Sequence, residues 1–346
     1  MNFIKRNNIR NTFISAALVV CVLTQSGAAW AAKQRMLVPM GCAVGISMFT
    51  DGVLVVGLSA TQNGQAASPA AIAGILPGDL ITALGETKIG SADDFKIEMS
   101  KLTEKPVSVT LIRNGETLHL SIEPNMKSGS AELGLWLRDS VTGVGTVTFF
   151  EPETGLYGGL GHGITDFESG VIMPLGKGDI FPSSVVEIKK GVSGVPGELR
   201  GDFAGKSSSG SILKNTACGI FGIMNAEQSA GGKAIAAADS DEIELGKATV
   251  LANIEGTKTE EFEIEITRVY RGCDDGKSLM LCVTDKELLE KTGGIVQGMS
   301  GSPIIQNGKL IGAVTHVMVN DPSKGFGISI EKMLEEADGV SLNKAA

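Results

Sequence analysis

Two short glycine-rich segments carry residue types that could perform hydrolysis together. Residues 161–163 read Gly-His-Gly, and residues 298–303 read Gly-Met-Ser-Gly-Ser-Pro. The glycines beside Ser300 permit a sharp turn that exposes its hydroxyl and directs backbone N–H groups toward a developing oxyanion. A serine hydroxyl is a poor nucleophile at neutral pH, so it needs a general base. The two segments therefore indicate a serine hydrolase whose base is a histidine.

Three histidines could supply that base: His119, His162 and His316. His119 alternates with leucines on a predicted hairpin strand, which indicates a solvated side chain. His316 shares one face of a predicted strand with apolar residues, which is typical of a core or pocket-wall position. His162 has a glycine on each side, and this lack of cover suits a ring that must reach a neighbour and exchange protons. We therefore interpret His162 as the base.

A histidine that becomes imidazolium needs an acceptor on its other ring nitrogen, because that contact fixes the tautomer and stabilises the charge. Asp285 precedes Ser300 by fifteen residues, and Asp166 follows His162 by four. Local spacing does not choose between these two carboxylates. Both stay open at this point.

The first 31 residues have the three-part layout of a secretory signal peptide. Lys5, Arg6 and Arg10 precede an apolar run over 13–23, and residues 29–31 read Ala-Trp-Ala, a small-x-small cleavage pattern. The apolar run is short for a membrane span. We therefore predict export, with an uncleaved membrane anchor as the alternative because residues 28–32 extend the apolar stretch.

Charge and cysteine usage exclude several classes of partner. Removal of residues 1–31 takes away three positive charges and no negative ones, so the formal net charge changes from −9 to −12. Such an acidic surface repels phosphate backbones, and we predict no nucleic-acid partner. Four cysteines lie beyond the signal segment without a Cys-x-x-Cys pair, so we predict no metal or cofactor, and either one or two disulfides or free buried thiols. They are Cys42, Cys218, Cys273 and Cys282.

Residues 36–124 have the punctuation of one small α+β domain. The run over 70–81 reads as a short helix, a Pro-Gly turn and a strand, and it resembles the most recognisable stretch of PDZ domains. A predicted helix follows Ser91, and an Asn114-Gly115 turn joins two alternating strands. In PDZ domains a glycine-containing loop binds a peptide terminus, and Gly41, Val44, Gly45 and Ile46 occupy the matching place here. A fold used only for packing is the alternative.

The rest of the chain predicts a second, β-rich domain. Residues 125–134 are rich in serine, glycine and charge and read as a linker. Residues 135–346 contain many short strand-like runs and few helical ones, which favours a barrel or a sandwich. The composition of the 346-residue chain, with 46 glycines, agrees with two turn-rich domains. The predicted fold class is thus mostly β, with a PDZ-like domain first.

The larger motifs resemble the stage IV sporulation protein B peptidases of endospore-forming bacteria. The matching segments are 160–164, 283–285, 294–304 and 312–317, together with the export segment and the PDZ-like domain. That family consists of chymotrypsin-like serine endopeptidases, so the resemblance implies a double β-barrel. It also implies the roles of His162 as base, Asp285 as orienting carboxylate and Ser300 as nucleophile. The N–H groups of Gly298 and Ser300 would then form the oxyanion hole, and Met299 replaces the aspartate that commonly precedes this serine.

The resemblance further implies a biological role. Family members are exported into the space between the two forespore membranes, cleave themselves near the N-terminus and cut a membrane-embedded regulator, which triggers processing of a mother-cell sigma factor. The alternatives are a non-catalytic PDZ adaptor and a general exported quality-control protease. A lipase-like hydrolase is disfavoured because the alternating strands and long helices of that fold are missing.

Overall fold

The computed structural model describes residues 34–59, 67–225, 232–271, 276–338 and 340. The predicted signal segment, residues 1–31, lies outside them. Among the described residues, no helix is both long and apolar enough to cross a membrane. From Met36 onward the described residues form one compact unit.

Short strands dominate the described chain. The strands in the first half are β1 (Met36–Pro39), β2 (Ala43–Leu58), β3 (Leu80–Leu84), β4 (Thr87–Lys88), β5 (Val107–Arg113), β6 (Glu116–Ile122), β7 (Asn125–Lys127), β8 (Ser130–Glu132), β9 (Leu135–Phe150) and β10 (Leu156–Gly159). Those in the second half are β11 (Lys177–Pro182), β12 (Ser184–Lys189), β13 (Glu198–Asp202), β14 (Gly210–Thr216), β15 (Gly219–Met224), β16 (Ile235–Ala236), β17 (Gly246–Glu255), β18 (Lys258–Val269), β19 (Leu279–Val283), β20 (Pro303–Gln306), β21 (Lys309–Val317) and β22 (Lys324–Ser329). The α-helices are α1 (Pro69–Ile72), α2 (Ala92–Met99), α3 (Lys286–Thr292) and α4 (Ile330–Ala337).

Two antiparallel six-stranded barrels form the body of the protein. The first barrel has the strand order β2-β9-β10-β15-β14-β11, and the pairing of β2 with β9 closes it. The second barrel has the order β17-β18-β19-β22-β21-β20. Closure leaves no free sheet edge in either barrel. The predicted double β-barrel is confirmed.

The barrels have separate cores and a shared contact. Ile46 and Val147 lie in the first core, and Ile254 and Leu281 lie in the second. A further buried cluster joins residues from both barrels with one face of α4: Phe149, Phe221, Leu310, Ile328 and Met333. Because each fully buried large apolar side chain contributes about 1.5–3 kcal/mol relative to exposure, this cluster holds the two barrels against each other.

A third body, which we call the inserted module, interrupts the first barrel. The barrel half of β2 pairs with β9 from Ala43 to Phe49, and the outer half continues without a break to pair with β3 at Val53 and Leu54. Strands β3 to β6 and helices α1 and α2 follow, and β9 returns to the barrel beside β2. The inserted module, residues 53–138, therefore extends from the first barrel on two long strands.

This topology corrects two predicted boundaries. Residues 36–50 were assigned to the PDZ-like domain, but β1 and the barrel half of β2 pair with strands of the first barrel. Residues 125–134 are not a linker, because β7 and β8 form a hairpin and Leu133 is buried in the core of the inserted module. The two domains are joined by the long strands β2 and β9 and not by residues 125–134.

Elements inside the inserted module follow the sequence signals closely. Ser91 caps α2 by accepting a hydrogen bond from Asp94 N at 3.1 Å. Asn114 and Gly115 have φ values of 51° and 82°, the two positive values that a type I′ hairpin turn requires. Phe95 on α2 packs against Ile81 and Leu111 of the sheet.

Two of the described cysteines, Cys42 and Cys282, are free thiols. Cys218 is buried, and Cys273 lies outside the described residues. Burial raises the pKa of Cys42 to about 11, so this thiol stays protonated at neutral pH. Of the two outcomes that the sequence left open, Cys42 and Cys282 follow the one without disulfides.

Candidate active site

His162 lies on a tight turn between the two barrels. The chain leaves β10 through Leu160 and Gly161, whose φ values are 66° and 68°. A Cβ atom on Gly161 would lie 2.9 Å from Thr315 Cγ2 of β21, so only glycine permits this close approach to the second barrel. The sequence predicts that the flanking glycines leave the ring of His162 uncovered. The structure shows a second reason for Gly161, which is the close contact between the two barrels.

Ser300 lies on a turn of the second barrel that the first barrel holds in place. We call residues 296–302 the serine turn. Thr146 N donates to Ser300 O at 3.1 Å, and Thr146 Oγ1 donates to Gly298 O at 2.8 Å. Thr148 Oγ1 donates to Gly301 O at 2.7 Å. These contacts to β9 fix the backbone of the serine turn relative to the base.

The orientation of one peptide group leaves a donor free for an oxyanion. Gln297 O accepts from Leu199 N at 2.8 Å, so the carbonyl of the 297–298 peptide points toward β13. The N–H of Gly298 belongs to the same planar group and therefore points the opposite way. Gly298 has a φ of 97°, which suits glycine at this place in the turn. This geometry is compatible with Gly298 as an oxyanion donor, and the N–H of Ser300 stays a predicted donor.

Hydrogen bonds define the resting states of both candidate catalytic side chains. His162 Nδ1 lies 2.9 Å from Gly163 O. Because a carbonyl oxygen only accepts, Nδ1 carries the proton in this arrangement and Nε2 keeps its lone pair. Ser300 Oγ donates to Thr315 O at 2.7 Å. The histidine thus has the tautomer that a base requires, while the serine hydroxyl donates to a backbone carbonyl.

The environment of His162 favours its neutral form. Burial lowers the pKa of His162 below its ordinary value of 6.5, and the hydrogen bond to Gly163 acts in the opposite direction. The ring of His316 lies 5.1 Å from that of His162 between centroids, at an interplanar angle of 40°. His316 is thus a wall of this site, as predicted. His119 is remote from it and contacts Thr110 Oγ1 across the hairpin.

Asp285 is not placed beside His162 in this structure. It lies on the second barrel as the N-cap of α3, where its side chain accepts from Leu288 N at 2.9 Å and from Glu263 N at 3.4 Å. Neither ring nitrogen of His162 has a carboxylate partner among the described residues. The expected His162–Asp285 contact is therefore not formed, because cap hydrogen bonds hold the carboxylate elsewhere.

Asp166 also has a structural environment of its own. Its Oδ1 accepts from Glu168 N, Ser169 N and Ser169 Oγ, and its Oδ2 lies 2.8 Å from Arg138 Nε. Burial raises the pKa of this carboxyl, but the hydrogen bonds from Ser169 and the charge of Arg138 outweigh burial and hold its pKa below the ordinary value. Asp166 anchors the hairpin that follows His162.

His162, His316 and Ser300 line one cleft of about 690 Å³ between the barrels. Its remaining walls are apolar or neutral, and apart from the two histidines no titratable side chain lines it among the described residues. Val141 and Ile164 lie on one side, with Ile295 and Val317 on the other. A volume of this size holds several side chains of an extended chain.

Sequence reasoning missed residues that support the site from a distance. Thr146 binds the backbone of the serine turn through its N–H and its Oγ1, and Leu199 binds it through its N–H. No local motif marks either residue. The carbonyl of Thr315 also belongs to the site. Its only signal in the sequence was its position directly before His316. Met299, which replaces the common aspartate, is buried in the second core.

The predicted peptide-binding loop is wrong in its location. Val44, Gly45 and Ile46 lie within β2, which pairs with β9 along one edge and with β11 along the other. Gly41 N donates to Val147 O at 2.9 Å. Residues 41–46 therefore have no edge on which an extended peptide could add, because the first barrel uses both.

A different strand offers such an edge. β9 from Leu135 to Arg138 pairs with β2 on one side, and no described strand pairs with its other side. Gly134 has a φ of 73°, and the carbonyls of Leu133 and Gly134 accept from Ala70 N and Ser59 N. Asp139 Oδ2 accepts from Ala92 N at 2.8 Å and ties α2 to β9. The sequence signal for this strand edge is Leu-Gly-Leu at 133–135, in which a glycine directly precedes the strand, and it was missed.

The fold and site define a chymotrypsin-like serine peptidase that carries a PDZ domain. The family model described as SpoIVB peptidase S55 matches residues 129–334, more than half of the chain, and a PDZ domain model matches residues 44–123. The chain belongs to the SpoIVB peptidase S55 family. A comparison with curated proteins gave no match.

Solved structures give weaker similarities. The PDZ domain of an SdrC-like protein from Listeria monocytogenes shares 22% identity over 25% of this chain and 87% of that chain, with a TM-score of 0.22. The active form of Rv3671c protease from M. tuberculosis shares 14% identity over 58% and 75%, with a TM-score of 0.34. Protease AL20 from an extremophilic microorganism shares 10% identity over 57% and 92%, with a TM-score of 0.32.

Proposed function

We propose that this chain is an exported serine endopeptidase in which Ser300 is the nucleophile and His162 the general base. One observation carries the proposal. The Gly163 carbonyl holds the proton on Nδ1, so the unprotonated Nε2 is available in the cleft that also contains Ser300. A neutral base at pH 7 follows from the lowered pKa of His162.

The chemical steps follow from these groups. Ser300 Oγ leaves the Thr315 carbonyl, gives its proton to His162 Nε2 and attacks the peptide carbonyl. The oxyanion accepts hydrogen bonds from the N–H groups of Gly298 and Ser300. His162 then gives the proton to the leaving amine as the C–N bond breaks, and water hydrolyses the acyl-enzyme by the same proton transfers.

A pair of serines in the serine turn provides the test. Ser300→Ala removes the proposed nucleophile, whereas Ser302→Ala removes a buried hydroxyl that has no hydrogen-bond partner among the described residues. Purified full-length chains are assayed with an internally quenched octapeptide library. The proposal predicts cleavage by the wild type and by Ser302→Ala but not by Ser300→Ala. Equal cleavage by all three chains would assign the activity to another group.

The orienting role of Asp285 stays a prediction that rests on the family resemblance. The hydrogen bond to Gly163 O sets the tautomer of His162, while Asp285 caps α3. The role therefore requires a rearrangement of the carboxylate toward His162 in the active state.

We further propose that the inserted module holds an extended segment of a protein substrate along β9 from Leu135 to Arg138. The support is an unpaired strand edge beside α2, preceded by a glycine with positive φ. Added strands bind through main-chain hydrogen bonds, with pockets reading alternate side chains. Short peptides with a free, apolar C-terminus should compete with cleavage of a protein substrate but leave cleavage of a short peptide unchanged. Equal inhibition of both substrates would place the peptides in the active cleft instead.

For the physiological role we propose self-cleavage and cleavage of a membrane-associated regulator in sporulation, in the space between the forespore membranes. Family membership and the signal-like residues 1–31 support this proposal. A strain that carries Ser300→Ala should fail to shorten the chain itself and fail to process the mother-cell sigma factor. Normal processing in that strain would contradict the role.

A further inference from the structure

The hairpin that follows His162 carries an apolar side chain that its own fold does not bury. Phe167 is 93% exposed, the most exposed of the described large apolar residues, and it lines the same cleft as Ser300. Ile172 of the same hairpin is 40% exposed and also lines the cleft. We call residues 163–173 the His162 hairpin.

Phe167 is exposed on a firmly anchored backbone. Asn215 makes three side-chain hydrogen bonds to the hairpin, one with Ile164 N, one with Ile164 O and one with Met173 O. Asp166, directly before Phe167, is buried and held by Ser169 and Arg138. Because the backbone around Phe167 is anchored, its side chain is presented at the cleft opening.

The chemistry of the reaction indicates which part of a substrate passes this ring. His162 gives its proton to the leaving amine, so the segment after the scissile bond departs beside His162. The His162 hairpin begins at the next residue and forms the wall on that side, with Ile164, Phe167 and Ile172 in the cleft. An apolar wall without titratable groups favours an apolar substrate side chain and disfavours a carboxylate.

We infer that Phe167 is a specificity-determining residue that binds an apolar side chain on the leaving-group side of the scissile bond. The inference rests on the proposed function, because it takes Ser300 and His162 as the reacting groups. The substrate class is an extended polypeptide with an apolar residue shortly after the bond that is cut.

The experiment uses three substrates made from the best octapeptide of a quenched library. The first has Leu in each of the first two positions after the cleaved bond, the second has Asp there, and the third has the acyl half joined to aminocoumarin. Full-length wild type, Phe167→Ala and Leu245→Ala are compared by kcat/KM. Leu245 is a matched control because it is 67% exposed and does not line the cleft.

We expect Phe167→Ala to lower kcat/KM for the Leu peptide about tenfold and to remove most of the wild-type preference for Leu over Asp. The aminocoumarin substrate, which has no residue after the bond, should stay within about twofold of wild type, as should Leu245→Ala on every substrate. Equal losses on the Leu peptide and the aminocoumarin substrate, or no loss on either, would overturn the inference. If the wild type cleaves no substrate, the proposed function itself fails and the inference fails with it.

Discussion

The two barrels contribute different parts of the site and differ in how they are built. The second barrel supplies Ser300, and its six strands all lie within residues 246–329. The first barrel supplies His162, and two of its strands continue into the inserted module. The proposed nucleophile therefore belongs to a barrel built from one continuous part of the chain, whereas the proposed base belongs to a barrel that is physically continuous with the inserted module. Changes in the module can reach the base more directly than the nucleophile.

The largest expected effect comes from Ser300→Ala, which should lower kcat/KM on the order of 10⁴-fold or more, because members of a cooperating catalytic unit act together. Ser302→Ala in the same turn should stay near wild type, since the Ser302 hydroxyl makes no hydrogen bond within the described part of the chain. The measurement is steady-state cleavage with circular dichroism as a check of folding. If Ser300→Ala kept activity close to that of the wild type, the nucleophile would not be Ser300 of the second barrel.

The contact between barrels is tested by Gly301→Ala. A Cβ atom there would lie 2.1 Å from Thr146 O, and the φ of Gly301 is 97°. We expect a loss of about 2–3 kcal/mol in the free energy of unfolding, together with a lower kcat, because the serine turn must move away from β9. Gly308→Ala is the control, with a φ of 74° and open space around its Cβ. Equal effects of the two variants in urea titrations would show that only the backbone angle matters.

Arg138→Met tests the connection between the inserted module and the His162 hairpin. It leaves the buried Asp166 without its cation, and we expect a loss of about 1–2 kcal/mol, less than for a fully buried pair because Arg138 is partly exposed. The pKa of Asp166 lies below 3.8 in the folded chain, so its contribution to stability is present above that pH and is lost as pH falls through the folded pKa.

Without Arg138 that folded pKa rises, so acid unfolding of Arg138→Met should begin at higher pH than in the wild type. Arg200→Met removes an exposed arginine that pairs with Glu187, and it should change the acid unfolding curve little. Coincident acid unfolding curves for wild type and Arg138→Met would mean that Arg138 does not stabilise the charged form of Asp166.

Two substitutions distinguish the two possible roles of Asp285, which are the cap of α3 and the partner of His162. Asparagine caps helices about as well as aspartate, so Asp285→Asn should keep the melting temperature, whereas Asp285→Ala should cost about 1 kcal/mol. The activity of Asp285→Asn then separates the two roles. Retained kcat/KM means that the carboxylate serves only α3, and a loss of about 10⁴-fold means that it reaches His162 during turnover.

The smallest expected effect is a displacement of the pH profile. Because the pKa of His162 lies below 6.5, the base is still neutral at pH values where an ordinary histidine is half protonated. The acid limb of kcat/KM should therefore fall at a pH below 6.5. His316 lies beside His162, so the same pH profile is measured for His316→Gln to separate the contributions of the two histidines. A wild-type limb above 6.5 would contradict burial as the dominant influence on His162.

Local signals were sufficient for some parts of this fold and insufficient for others. The Ser91 cap, the Asn114-Gly115 turn and the Gly-Met-Ser-Gly turn depend on neighbouring residues, and the structure has each of these turns and the cap as expected. The error at residues 36–50 has a different origin. An alternating strand does not reveal its partner, and β2 pairs with β9 and β11 in one half and with β3 and β9 in the other.

The sequence marks the proposed reacting groups of the site but not the residues that support them. His162 and Ser300 stand within glycine motifs, so their residue types were visible in the sequence. The hydrogen bonds of Thr146 to the serine turn join residues about 150 positions apart and leave no local pattern. Asp285 shows the limit of a residue type carried over by resemblance, because an aspartate before a helix is also a common cap.

The continuous strands also have a consequence for how the chain folds. Phe49 and Ser140 pair across the base of the inserted module although about ninety residues separate them, and closing so long a flexible loop costs conformational entropy. A module that has already folded holds the two strands side by side and removes most of that cost. During synthesis the module emerges before most of the first barrel. It can therefore act as a template on which that barrel nucleates, so a destabilised module should slow the folding of the barrel that carries the base.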